Sequence, residues 1–245
     1  MATDAMARPR WPAERAFYLG LTSAMLLSVL VGFARSFYLK PLFPGWPAPA
    51  EPVFYLHGAV FTAWCVLLVG QAALVSSGRT ALHRRVGVWG ALLAGAMVVL
   101  GTHASLVGAR RPGGFVGIPG SPLEFLAVPI CDMVLFGSFV AVAIAKRRDL
   151  QAHKRWMLLA TMNLLTAAIA RWPGIITIPS PLVSFFLADL YLVALVVWDL
   201  RSRGRLHAAT AWGGALLVLS QPLRLAVAGT PAWLAVARWL VDSPL

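Results

Sequence analysis

Residues 57–103 read HGAVFTAWCVLLVGQAALVSSGRTALHRRVGVWGALLAGAMVVLGTH. Two apolar runs flank a short basic turn, Ser76 to Arg85, and a histidine stands near each far end. At about 1.5 Å per residue, each run is long enough to cross the ~30 Å hydrocarbon layer of a bilayer as a helix. In an antiparallel hairpin the far ends return to the same side. His57 and His103 then sit at one depth, each roughly 10 Å from the bilayer centre.

The rest of the chain follows the same plan. A soluble domain carries about 25% charged residues; this chain of 245 residues carries 12%, with 59% hydrophobic. The pattern predicts an all-α, polytopic integral membrane protein of seven transmembrane helices. The expected spans are 17–36, 53–75, 86–108, 124–145, 155–177, 182–199 and 210–229. The chain divides into an N-terminal cytoplasmic segment (1–16), the membrane domain (17–229) and an interfacial C-terminal segment (230–245). In the last, Trp233 and Trp239 would anchor a short amphipathic helix over 232–240. Arg8, Arg10 and Arg15 before the first run read as the flank of an uncleaved first helix.

The net charge of +12 does not point to nucleic acid. The basic residues cluster in short turns between apolar runs, where they set orientation and meet anionic lipid heads. Two thirds of the 21 Lys and Arg residues fall on one side when the N-terminus is inside, which puts the N-terminus in the cytoplasm and the C-terminus outside; the expected location is the cell inner (plasma) membrane. The outer connections, 41–52, 108–122 and 172–181, are instead rich in proline and glycine, and could form a cover over an outward-facing site. Cys65 and Cys131 show neither metal spacing nor a disulfide framework, and read as buried apolar residues.

Three inner turns end in a histidine: His83, His153 and His207. Each outgoing helix carries an ionisable residue 20, 18 and 17 positions later, namely His103, Arg171 and Arg224. The incoming helices carry His57, Asp132 and Asp189. The three helix pairs thus read as repeats of one plan. Charged residues facing lipid are costly, about 2.5–3.5 kcal/mol each on the gentler scale. Asp132, Arg171, Asp189 and Arg224 should therefore face inward and pair, either Asp132 with Arg171 and Asp189 with Arg224, or crossed. Gly87, Ala91 and Gly95 form a small-residue stripe expected to admit a neighbouring helix. Gln71 and Asn163 are polar within spans and should bond neighbouring helices.

Two imidazoles at one depth on adjacent helices can hold a haem iron from both sides. His57 and His103 are the expected axial ligands of a b-type haem near the outer face, with Arg35, Arg110 and Arg111 toward its propionates. His83 and His153 match in depth near the inner surface and could hold a second haem or meet lipid phosphate; His207 reads as a solvated loop residue. Electron transfer with a quinone or other redox partner would follow. A different class of function uses the layer of Asp132, Arg171, Asp189 and Arg224 as an outward-facing polar pocket for binding or transport of a small ligand. A third is a membrane assembly factor. Phosphate loops, nucleophile elbows and zinc motifs are missing from the sequence.

The pattern His57, Gln71, Arg79, His83-Arg84-Arg85-Val86-Gly87, then His153-Lys154-Arg155-Trp156-Met157, resembles a group of uncharacterised bacterial multi-pass membrane proteins over about residues 54–160. That resemblance implies no settled activity. The chain is more loosely similar to helical b-type membrane cytochromes, whose haem ligands come from four helices. It departs from them in carrying both His83 and His103 on the third span and no histidine on the fourth.

Overall fold

The computed structural model describes residues 11–118, 120–178 and 180–243. Arg8 and Arg10 lie outside them. The helices are α1 (Trp11–Phe33), α2 (Pro52–Ser76), α3 (Thr80–Arg110), α4 (Pro122–Phe125), α5 (Ala127–Ala145), α6 (Leu150–Ile169), α7 (Pro181–Arg203), α8 (Ala208–Ala228) and α9 (Pro231–Asp242). A π-helical turn, Ala34–Tyr38, extends α1. No strand occurs among the described residues.

The helix starts follow local chemistry. Pro52, Pro122, Pro181 and Pro231 each stand at a first helical position, where their missing N–H costs nothing. Asp149 caps α6 by accepting from the N–H groups of Gln151 and Ala152, both at 3.0 Å. Gly204, at φ 70°, ends α7 in the left-handed region that glycine tolerates.

Six helical segments are long and apolar enough to cross a membrane: 12–38, 52–76, 80–110, 122–145, 181–203 and 208–228. Their outward faces are apolar, with Trp89, Val99, Phe186 and Leu219 among the large exposed side chains. A soluble protein does not carry so much exposed apolar surface. The chain is a multi-pass membrane protein.

The seventh expected span is different in kind. α6 has Lys154 and Arg155 in its first turns and ends at Ile169, eight residues short of the expected 177. The cause of the early stop is Pro173, which disfavours helical backbone at Trp172 before it; turns follow instead. α6 is also the hub of the bundle. It packs on α1, α5, α7 and α8, and Leu159, Ala160, Leu165 and Ile169 are fully buried on it. Trp64 of α2 reaches it with a hydrogen bond from Nε1 to Thr161 Oγ1, 3.0 Å.

Close helix contact does not use the expected small-residue stripe. A Cβ added at Gly87 or Gly95 would meet open space, so Gly87-Ala91-Gly95 is not where another helix approaches. The tight points are Gly32, where a Cβ would lie 2.1 Å from the Ala168 carbonyl oxygen, and Gly101, where it would lie 2.3 Å from Met133 Sδ.

At the end of the bundle opposite the basic turns, loops and short helices interlock. Arg111 pairs with Glu51 at 2.7 Å. Trp233 on α9 donates to the Leu123 carbonyl at 2.8 Å, and Arg110 donates to the carbonyls of Val241 and Ser243 at 2.7 and 2.6 Å. The expected interfacial helix is therefore α9, docked on α3, α4 and α8. Both cysteines are free, Cys65 buried and Cys131 partly so.

Candidate functional site

Two polar clusters between the helices hold most of the residues singled out from the sequence, the first half-buried and the second deeper. The first lies near the basic end, where His83 is the fourth residue of α3 and His153 the fourth of α6. Their ring centroids are 6.4 Å apart with the planes at 83°. His153 Nδ1 bonds the Ala143 carbonyl on α5 at 2.8 Å. A carbonyl only accepts, so this nitrogen carries a proton, and in the neutral ring the lone pair is on Nε2. Gln71 of α2 holds the other ring. With its amide oriented to match donors to acceptors, Nε2 donates to His83 Nδ1 and to the His83 carbonyl (3.2 Å), and Oε1 accepts from the Gly87 N–H (3.2 Å). Four helices, α2, α3, α5 and α6, thus supply two imidazoles and the groups that orient them. The sequence pattern Gln71, His83, Gly87 is one hydrogen-bonded unit.

The second cluster lies between α5, α6, α7 and α8. Arg224 pairs with Asp132 through Nη1 at 2.5 Å, with both side chains nearly buried. Its Nη2 donates to Ser220 Oγ at 2.9 Å. Asp189 accepts from Gln221 Nε2 at 2.8 Å. Asn163 donates to the Asp132 backbone carbonyl at 2.9 Å. The first expected pairing, Asp132 with Arg171 and Asp189 with Arg224, is not the one formed. The crossed pairing forms by half: Asp132 takes Arg224, and Asp189 takes an amide. Arg171 follows the turn at the end of α6, donates to the Ala167 carbonyl at 2.6 Å and lies over the Phe33 ring at 5.1 Å.

The outer histidines are not brought together. On a helix with 3.6 residues per turn, His103 falls on the stripe of Val88, Leu92 and Val99, which are 64%, 61% and 71% exposed. His57 falls on the opposite kind of face, in register with the buried Trp64, Cys65 and Leu68. Its ring lies against Phe61, centroids 4.0 Å apart and planes tilted by 32°, and its Nδ1 is buried without a hydrogen-bond partner. The cations expected at the propionates are engaged elsewhere. Arg35 lies over Phe43 and Trp46, Arg111 holds Glu51, and Arg110 holds the end of α9.

One buried pair was not foreseen. Arg155 and Asp199 meet at the basic end, and Asp199 also accepts from Thr210 Oγ1 (2.6 Å) and the His207 N–H (3.1 Å). Next to it, Lys154 pairs with Glu14 of α1. The signal was present: Ala188, Leu192, Leu195 and Asp199 share one helical stripe, which puts an acid on a core face. His207, expected in solvent, caps α8 by accepting the Ala209 N–H on Nδ1 at 3.0 Å, and burial holds its imidazole below the ordinary value.

Among the described residues no group of three or more His, Cys, Asp or Glu side chains could hold a metal ion by itself. The chain matches no family model, no curated protein and no solved structure.

Proposed function

We propose that this membrane protein binds one b-type haem between His83 and His153, near the basic end of the bundle, and carries electrons there. The reading rests on the 6.4 Å between ring centroids. Metal–imidazole bonds are about 2.0–2.1 Å and the ring centre lies roughly 1 Å beyond the nitrogen, so two rings on opposite sides of one metal stand about 6 Å apart. Rings at two corners of a tetrahedron would stand about 5 Å apart by the same geometry. The observed spacing is that of two imidazoles that would hold one metal between them. The outer pair suits that role less, because His103, half-buried, lies on the face of α3 opposite its buried stripe.

The chain's own groups suit this role. The Ala143 carbonyl keeps the proton of His153 on Nδ1, which frees Nε2 as the donor atom. Gln71 Nε2 donates to His83 Nδ1 and fixes the orientation of that ring. The neutral His83 ring then carries its proton on Nε2, and binding iron there would require that proton to leave. Arg84 and Arg85 follow His83 directly and supply positive charge for propionates. Haem held there would supply a one-electron couple tuned by its ligands and their hydrogen bonds. The seven-span topology with a cytoplasmic N-terminus belongs to the same proposal and puts the site toward the inner leaflet of the plasma membrane.

The test is the dithionite-reduced absorption spectrum of the full chain, purified in detergent after expression with ample haem. Sharp reduced bands are expected. His83→Ala and His153→Ala should each abolish them, and His57→Ala and His103→Ala should leave them. A wild-type spectrum without haem bands would overturn the reading.

A further inference from the structure

Between α6, α7 and α8 a small cavity is lined by Asn163, Thr166, Asp189, Gln221 and Arg224, with Phe185 among its apolar walls. Its free space is that of about one water molecule. Four of these polar residues are more than nine-tenths buried: Asn163 at 3% exposed, Thr166 at 9%, Gln221 at 8% and Arg224 at 3%. Asn163 Oδ1 is buried and has no hydrogen-bond partner. A buried acceptor left open in this way is a demand for a donor.

The charge count is uneven. Arg224 is balanced by Asp132. Asp189 accepts one hydrogen bond from a neutral amide, and among the described residues no ion pair joins it to a cation. The cluster therefore holds two carboxylates against one guanidinium, inside a membrane where an uncompensated carboxylate is costly. The charged group facing Asp189 from α8 is Arg224, with Asp132 of α5 behind it. α6 presents only the neutral Asn163 and Thr166.

We propose that Asp189 is a reversible proton-binding site within the membrane. The missing charge is positive, which excludes an anion. A metal cation would need about six oxygen ligands. Here the side-chain oxygens of the lining are the Asp189 carboxylate, Asn163 Oδ1, Thr166 Oγ1 and Gln221 Oε1, still short of six, and Arg224 stands in the wall. A proton needs one water-sized path and one acceptor. In uptake, hydronium in the cavity gives its proton to the free oxygen of Asp189; the O–H bond forms and a neutral water remains. That water, or the new carboxylic acid, supplies the donor that Asn163 Oδ1 lacks. Release reverses the step. The site is separate from the histidine pair and does not depend on haem.

Infrared difference spectroscopy of the reconstituted full chain, taken between mildly acid and alkaline pH, tests this. The expected result is a carboxylic acid carbonyl band that grows on acidification, shifts with 13C-labelled aspartate and disappears in Asp189→Asn. Asp189→Glu is the second variant, and should move the band out of the labelled set while keeping a titrating acid. A wild-type protein without a titrating aspartic acid band overturns the proposal. So does a band that survives in Asp189→Asn, or one that sodium or potassium removes at constant pH, which would make the site a metal-cation site.

Discussion

Arg155 on α6 and Asp199 on α7 form an ion pair with only 1% and 0% of their side chains exposed. Arg155 Nε donates to Asp199 Oδ1 at 3.0 Å, and its Nη1 donates to Gln151 Oε1 at 2.6 Å. The carboxylate is satisfied in turn by Thr210 and the His207 N–H. The pair ties three helices at the basic end, directly beside the turn that carries His153.

Removing one partner strands the other. Asp199→Ala leaves a buried guanidinium without its counter-charge, and is expected to cost about 3–5 kcal/mol. The double variant Arg155→Met with Asp199→Leu should recover most of that loss, because the penalty comes from the uncompensated charge rather than from the pair's net value. Thermal unfolding in detergent measures both. A single variant that melts with the wild type would mean that water reaches Arg155.

The glycines give a steric prediction. At Gly32 the obstacle is the Ala168 backbone, which cannot rotate away, so Gly32→Ala should destabilise by about 1–3 kcal/mol. At Gly95 a methyl group meets open space, and Gly95→Ala should be neutral or gain about 0.5–1 kcal/mol in the helix interior. Thermal melts of the two variants should move in opposite directions or, at the least, differ by that margin.

These positions also mark what could be read from the sequence. The apolar runs set the helices because a bilayer demands length and low charge, and both are visible one residue at a time. His83 and His153 were visible for a similar reason: each follows a basic turn, so both stand at one depth. Rotation about the helix axis was harder. The spacing of Gly87 and Gly95 matches a packing stripe, yet the side of α3 that meets α2 and α5 is the one carrying Gly90 and Gly101. The spacing that set His103 and His57 at one expected depth said nothing of azimuth, and His103 falls on the face of α3 away from its buried stripe. Arg155 lies in the first turns of α6, close in sequence to Lys146, Arg147, Arg148 and Lys154, and nothing local separates it from them. Only its partner on α7, 44 residues away, does so.

Gln71 should tune the histidine site without being essential to it. If the haem proposal holds, Gln71→Leu removes the group that orients His83 and leaves both imidazoles in place. The reduced bands should persist, with affinity lower by about 10–100-fold and a shifted potential, as expected for loss of an outer hydrogen-bond partner. Haem titration and redox potentiometry measure the two effects. Complete loss of the bands would make Gln71 a fold determinant rather than a tuning residue.

Acid should loosen the basic end in two stages. His207 accepts the Ala209 N–H on Nδ1, which requires the neutral ring, and burial holds its pKa below the ordinary value of about 6.5. The unfolded chain then takes up the proton first, so stability falls as pH drops below that ordinary value. Asp149 accepts the N–H groups of Ala152 and Gln151 at the start of α6, and these bonds hold its carboxyl below the usual carboxylate value of about 3.9. Its contribution is complete above that value and is lost as pH falls through the lower, folded one. His207→Asn can still cap α8 and cannot titrate, so it should flatten the melting temperature between about pH 7 and 5. Asp149→Asn should leave that range unchanged and flatten only the more acid limb. If His207→Asn keeps the wild-type slope between neutral and mildly acid pH, another group sets it.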